Sequence, residues 1–304
     1  MYTLINQITV YRCNAMCLNF RIRKYLKERM FEVRFWGVRG SIACPSPDYV
    51  RYGGNTSCVS MQCGKLQLVF DAGSGIRGYG RWLLSQPERE VKLLLSHTHW
   101  DHINGFPFFT PAYDPSFDIE IMAGHLIGQN LTSKEVMAGQ MSGPTFPVPM
   151  DIMSAKLTFS DFQVGNTLCF GADVVIKTAA LRHPNGATGY RVEHQGRSVC
   201  YVTDTEHQPS QPNQTILDLI KGADLVIYDS TYTDLEFPAK VGWGHSTWQE
   251  GVRLCTSAEV KQLAIFHHDP DHDDAFMDQV AKEAQSMWSG AFVARDGMTV
   301  RVAE

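Results

Sequence analysis

The sequence predicts an α/β fold of four layers, with two β-sheets packed face to face and helices on the outside. Three observations lead there. Strand-like runs come first and then alternate with helical stretches, and this order occurs twice along the chain. Hydrophobic residues make up 44% and charged residues 19% of the 304 residues, a balance that suits a large buried core rather than a disordered chain. No short-period repeat and no convincing linker divides the chain, so one domain over residues 30–304 is expected.

Taken in order, strands are expected at 31–37, 57–62 and 66–71, the last two joined by the turn Cys63-Gly64-Lys65. Asp71-Ala72-Gly73-Ser74-Gly75 breaks the strand, and a helix then runs through Leu84 and ends before Pro87. The apolar run Val91-Lys92-Leu93-Leu94-Leu95 reads as a buried strand, and a short strand follows at 119–123. Residues 125–152, with Gly143, Pro144, Pro147 and Pro149, read as a short helix and an irregular loop near the cleft. Such a loop is either a substrate cover or an ordinary connection. Strands are expected again at 155–162, 167–170, 173–179, 189–194 and 198–203, with Gln195-Gly196-Arg197 turning the last pair. A helix at 213–221, a strand at 224–229, a helix at 246–258, a strand at 262–267 and a helix at 273–288 complete the chain.

The chemistry concentrates after the strand at 91–95. Ser96-His97-Thr98-His99-Trp100-Asp101-His102 gathers three imidazoles and a carboxylate within six residues. His97 and His99 are two apart, so on extended backbone they point the same way. Asp101 and His102 sit where the chain turns, aimed at a neighbouring point. Imidazole and carboxylate donors suit Zn, Fe or Mn, and two such sets imply two ions close together, an arrangement that activates water for hydrolysis. Solvated histidines at a strand end are the bland alternative, and four ligand-type side chains at this spacing argue against it. Three later residues share a position just beyond an apolar strand: His183, Asp204 and His267. Each alone is an ordinary loop residue, but with the first cluster they supply seven donors. His268 neighbours His267, which is chosen because it comes first beyond the strand. His125 and His194 lack such a context and are expected at the surface.

On these residues the chain resembles the metallo-β-lactamase superfamily, whose HxHxDH signature stands here as His97-Thr98-His99-Trp100-Asp101-His102. The resemblance runs over roughly residues 30–290 and includes the order of the later ligands. It implies a four-layer αββα sandwich holding two divalent metal ions, zinc above all, with manganese or iron compatible. It places His97, His99 and His183 around one ion, Asp101, His102 and His267 around the other, and Asp204 between them.

Asp229-Ser230-Thr231-Tyr232 followed by Gly244-His245-Ser246-Thr247 resembles the ribonuclease Z branch and its relatives that open cyclic phosphodiesters. The resemblance implies that His245 donates to the leaving oxygen and that Asp229 orients it, although ribonuclease Z usually carries glutamate at that position. Otherwise Ser246 or Thr247 simply caps the next helix. Phe35-Trp36-Gly37-Val38-Arg39-Gly40-Ser41 and Tyr52-Gly53-Gly54-Asn55-Thr56-Ser57 resemble a bacterial subgroup of such hydrolases, which makes Arg39, Asn55 and Thr56 candidate phosphate contacts. Glu206 and His207 are candidates for fixing ligand orientation.

The expected function is a metal-dependent phosphodiesterase acting on a small phosphodiester, with a 3′,5′-cyclic nucleotide as the expected substrate and Asp101, Asp229 and His245 in its catalytic set. A lactone or ester hydrolase, a tRNA 3′-processing endoribonuclease and a non-hydrolytic sensor are the alternatives. Homodimers are common in the resembling branch.

The net charge of −5 is uneven. Residues 1–29 carry Arg12, Arg21, Arg23, Lys24, Lys27 and Arg29 against Glu28, which leaves the body near about −10 and argues against extensive nucleic-acid binding. That segment lacks a continuous signal-peptide core; an amphipathic, Arg-rich transit-like segment is the alternative to the favoured reading, an N-terminal extension, accessory or spurious. No apolar run approaches a membrane span. The eight cysteines include no CxxC pair, so free thiols in a reducing cytoplasm are expected.

Overall fold

A computed structural model describes residues 30–209 and 211–302. The expected extension at 1–29, with Cys13 and Cys17, lies outside the described residues.

The first half contains β1 (Phe31–Gly37), β2 (Cys58–Cys63), β3 (Leu66–Phe70), α1 (Ile76–Leu83), β4 (Glu90–Leu95), α2 (Trp100–Ile103), β5 (Asp118–Ala123), α3 (Ser133–Gln140) and β6 (Lys156–Asp161). The second half contains β7 (Thr167–Phe170), β8 (Val174–Leu181), β9 (Ala187–His194), β10 (Arg197–Val202), α4 (Gln214–Ile220), β11 (Leu225–Asp229), α5 (Trp248–Ser257), β12 (Leu263–Phe266), α6 (Asp274–Met287), β13 (Ala291–Val293) and β14 (Thr299–Arg301). They form two seven-stranded sheets, in the orders β14-β1-β2-β3-β4-β5-β6 and β13-β12-β11-β10-β9-β8-β7. The four layers follow the expected plan. The short strands β13 and β14 do not, because three residues give no readable period. β13 extends a parallel sheet beside β12, and β14 returns to pair antiparallel with β1.

Neighbouring strands from β3 to β6 run parallel, as do those from β10 to β13. Parallel strands need crossovers, whose helices cover the outer faces, so β11 and β12 are buried along their whole length. Between the sheets, Phe266 packs on Phe35 and Tyr201 with ring centroids 6.1 and 5.7 Å apart, and Phe70 lies 5.4 Å from Tyr201. Each aromatic pair contributes about 0.5–1.5 kcal/mol beyond area burial. One outer core forms where α1 packs Tyr79 and Leu83 on the first sheet. The other lies under α4, α5 and α6. No helix among the described residues is long and apolar enough to cross a membrane.

Helix starts follow the local chemistry. Thr132 and Glu135 make a reciprocal capping box at α3. Thr247 caps α5 through Glu250 N, and Asp273 caps α6 through Phe276 N. After α3, Met141, Met150 and Met153 are buried in the outer core and anchor the stretch at its ends, whereas residues 142–149 are exposed or half-buried. Cys44, Cys58, Cys63, Cys200 and Cys255 are buried free thiols, whereas Cys169 is exposed. His125 and His194 are both buried, contrary to their expected surface positions.

Candidate metal centre

All seven expected donors meet where the strands of both sheets end. His97 and His99 follow β4, Asp101 and His102 lie on the single turn α2, His183 follows β8, Asp204 follows β10 and His267 follows β12. Asp204 and His267 have φ of +56° and +63°, in the left-handed region that non-glycine residues seldom occupy. Such backbone costs about 1–3 kcal/mol per residue and turns the chain sharply at the sheet edge.

The donors fall into two groups around one carboxylate. His97, His99 and His183 form one group, and Asp101, His102 and His267 form the other. Asp204 Oδ1 lies 3.7 Å from His97 Nε2 and 3.6 Å from His183 Nε2. Its Oδ2 lies 3.2 Å from His102 Nε2 and 3.3 Å from His267 Nε2. One oxygen therefore faces each group.

The partners of the outer ring nitrogens explain this orientation. His102 Nδ1 meets Asp71 Oδ2 at 2.8 Å, His183 Nδ1 donates to Gly244 O at 2.7 Å, and His267 Nδ1 lies 3.0 Å from Thr231 Oγ1. His97 Nδ1 lies 3.0 Å from Ser96 Oγ. With Nδ1 engaged, each of these imidazoles turns Nε2 inward as an acceptor. His97 Nε2 is buried with no hydrogen-bond partner, while His183 Nε2 faces His99 Nδ1 at 3.0 Å and His102 Nε2 faces His267 Nε2 at 3.3 Å. Burial, followed by the neighbouring His102, pushes the pKa of His97 well down, which keeps its nitrogen free. An orphaned nitrogen and facing acceptors are what a cation would satisfy, so these residues fit divalent metal.

Two glycines permit this closeness. A Cβ on Gly40 would lie 2.4 Å from His267 Cε1, and one on Gly244, whose φ is +87°, would lie 2.4 Å from His183 Nδ1. Gly244 N and Gly242 N both donate to Glu206 Oε2, at 2.9 and 2.7 Å, so Glu206 fixes the loop that orients His183. His207 instead stacks on Phe237 and bonds Ser246, away from the donors.

His245 stands beside both groups. Its Nδ1 lies 3.0 Å from Asp229 Oδ2 and 3.8 Å from Asp204 Oδ1. Burial opposes a charge on this ring, but Asp229, with Asp204 and Asp101 behind it, outweighs burial and the pKa is pushed up to about 9. Asp229 is itself pinned by Thr205 N at 3.0 Å and by Thr231 Oγ1 at 2.7 Å.

The expected phosphate contacts are placed differently. Arg39 is fully buried and donates to the carbonyls of Gly53, Asp269 and His272 at 2.8, 3.1 and 2.6 Å, so it ties loops together rather than facing the cleft. Asn55 Nδ2 donates to Asp296, and Thr56 Oγ1 accepts from Ser74 N. Both side chains are engaged structurally, and the glycines beside them allow close approach, since a Cβ on Gly53 would lie 2.1 Å from Asp296 Cγ and one on Gly54 2.0 Å from Cys44 O. His268 points away from His267 and bonds Ala294 O at 2.9 Å.

Asp71 escaped the sequence reading. Besides His102 it accepts from Ser96 N, Ser96 Oγ and Tyr201 OH, at 2.7, 2.7 and 2.8 Å. The signal was present, since Asp71 also lies just beyond an apolar strand.

Residues 67–268, about two thirds of the chain, match the Beta-lactamase superfamily domain. Ribonuclease Z of Brevibacillus brevis is 26% identical over 186 residues, covering 60% of this chain and 50% of that enzyme. Ribonuclease Z of Bradyrhizobium sp. is 25% identical over 309 residues, covering 88% of this chain and 98% of that enzyme. The chain thus spans about half the length of the first relative and nearly all of the second. The metallo-β-lactamase fold protein YhfI from Bacillus subtilis superposes with a TM-score of 0.65 at 20% identity, over 90% of this chain and 99% of that one. The chain belongs to the β-lactamase superfamily and has the metallo-β-lactamase fold.

Proposed function

We propose that the chain is a dinuclear metal-dependent phosphodiesterase that hydrolyses a small phosphodiester, a 3′,5′-cyclic nucleotide above all. The observation that carries this reading is His245, held by Asp229 beside the donor cluster. Kinship with enzymes named ribonuclease Z supports phosphodiester hydrolysis in general terms. When bound, two divalent ions, zinc by preference, would activate water and offset charge developing on the phosphate. His97, His99 and His183 would hold one ion and Asp101, His102 and His267 the other, with Asp204 shared. Asp229 accepts from His245 Nδ1, which leaves Nε2 to pass its proton to the oxygen of the breaking P–O bond. Ser41 N donates to Asp101 Oδ2 at 2.8 Å and keeps that carboxylate in place. The buried free thiols suit a reducing cytoplasm.

The same kinship supports a second reading, cleavage of RNA at this site. The acidic body and the lack of an evident long basic arm speak against extensive nucleic-acid contact, but kinship with enzymes named ribonuclease Z lends that expectation no support. The test is to assay zinc-loaded and manganese-loaded protein on cyclic nucleotides, bis(p-nitrophenyl) phosphate, precursor tRNA and lactones. Cyclic-nucleotide turnover is expected, and His245→Ala should lower it by roughly 10²–10⁴-fold. Turnover confined to lactones and insensitive to His245→Ala would refute the reading, and selective cleavage of precursor tRNA would replace it with the second.

A further inference from the structure

We infer that Trp243 is a platform on which a flat heterocyclic base of the substrate stacks, on the side of the centre where His245 stands. The inference rests on the phosphodiesterase reading above and names what the substrate carries next to its reacting phosphate.

Of the six tryptophans, only Trp100 and Trp243 are exposed, at 78% and 59%, and both adjoin the donor cluster. Trp100 stands between His99 and Asp101, and Trp243 precedes Gly244, whose carbonyl holds His183. Aromatic surface kept in water at a reaction centre is surface for a ligand to cover.

The loop that presents Trp243 is pinned. Trp243 N donates to Lys240 O at 3.1 Å and closes a turn in which Gly242, third in order, has φ of +90°. A type II turn demands that angle at that place, and glycine meets it without strain. Glu206 Oε2 accepts from Gly242 N and Gly244 N and ties the same turn down, so the indole is ordered before any ligand arrives. The turn also sets Lys240 Nζ over the indole, 4.4 Å from its centroid, which covers one face. Lys240 Nζ lies 5.4 Å from the Tyr232 ring centroid, and that ring is 6.0 Å from the ring of His245. Trp243, Lys240, Tyr232 and His245 thus form one row leading out from the centre. The exposure of Trp243 leaves its second face to a ligand.

That free face selects the class of ligand. Stacking on an aromatic side chain suits any flat base, whatever its hydrogen-bonding edge. An acyl chain would lay hydrocarbon against imidazoles and carboxylates that it cannot pair. A sugar phosphate without a base would leave the indole in water. A base joined to a phosphodiester meets both demands, with its ring on Trp243 and its phosphate at the donor cluster. Such a base belongs either to a cyclic nucleotide or to an RNA strand.

The test compares kcat/KM on a 3′,5′-cyclic nucleotide and on 1-O-methyl ribose 3′,5′-cyclic phosphate, which lacks a base. Trp243→Ala should lower the nucleotide-to-base-free ratio roughly 5–150-fold, chiefly through KM, and Trp243→Phe should restore most of it. Independently of turnover, a nucleoside 5′-monophosphate or a short single-stranded RNA should quench tryptophan fluorescence more in wild type than in Trp243→Phe, and ribose 5-phosphate should not. Whichever of the two quenches at the lower concentration identifies the source of the base. An unchanged ratio, with wild-type protein cleaving both substrates, overturns the platform and leaves the phosphodiesterase reading standing. Lower zinc affinity in Trp243→Ala at an unchanged ratio would make the indole a prop for the loop and overturn it too. Equal quenching in wild type and Trp243→Phe overturns it whether or not any phosphodiester is cleaved. A fluorescence response confined to phosphatidylcholine vesicles would assign the indole to a lipid surface instead.

Discussion

Replacing Asp71 by Asn tests whether a residue that touches no metal governs metal binding. Asp71 Oδ2 accepts from Ser96 Oγ, His102 Nδ1 and Tyr201 OH, and Oδ1 accepts from Ser96 N. An amide offers one oxygen, so in either orientation its NH₂ group faces at least one buried donor. The lost charge-assisted bond costs about 1.5–3 kcal/mol, and the unpaired donor about 1–3 kcal/mol. A stability loss of roughly 3–5 kcal/mol is expected, with the backbone kept, because Asn tolerates the φ of +61° that Asp71 adopts. His102 also loses the carboxylate that fixes its tautomer, which should weaken metal binding by about 10–100-fold. That factor equals about 1.4–2.7 kcal/mol. Chelator-competition titration with zinc measures the affinity, and urea unfolding of the metal-free protein measures the stability. A folded Asp71→Asn protein that binds zinc as tightly as wild type would refute the reasoning.

Gly40→Ala should displace the His267 ring, since the new Cβ would lie 2.4 Å from Cε1. Zinc affinity should fall about tenfold or more by the same titration; unchanged affinity would mean the loop gives way instead. Removing metal with a chelator should lower Tm, because a ligand present at 100 times its Kd stabilises by about 2.7 kcal/mol. Calorimetry with and without added zinc checks this, and coincident Tm values would count against a metal site. Asp296 gives a pH dependence. Burial raises its pKa to about 6 despite hydrogen bonds from Asn55. Its folded value exceeds the unfolded value, so its contribution to stability is fully present below pH ~4 and is lost as pH rises through about 6. Stability should therefore fall by on the order of 1–3 kcal/mol over that window, and Asp296→Asn should flatten the profile. Denaturant titrations at pH 4.5 and 7.5 decide it: a slope identical in both proteins would exclude Asp296.

The sequence alone determined which residues sit at strand ends. An apolar strand must stop where its sheet meets solvent, so a donor within two residues of Leu95, Val202 or Phe266 is delivered to one edge of the molecule whatever the details of packing. That logic located His97, Asp204 and His267, and applied evenly it also reaches Asp71 after Phe70. What it could not supply is any relation between side chains distant in the chain. Arg39 and Asn55 looked like phosphate contacts because glycine-rich loops carry the same residues whether they bind a ligand or only turn. Packing on β12 and the segment that follows it decided that Arg39 is consumed by three backbone carbonyls. His125 was expected at the surface for the same reason, since only the tertiary structure buries it and sets it 3.0 Å from Thr98 beyond the neighbouring strand. Identity and spacing are one-dimensional and can be read along the chain; which nitrogen faces which oxygen is set by two sheets closing on each other, and only the tertiary structure decided it.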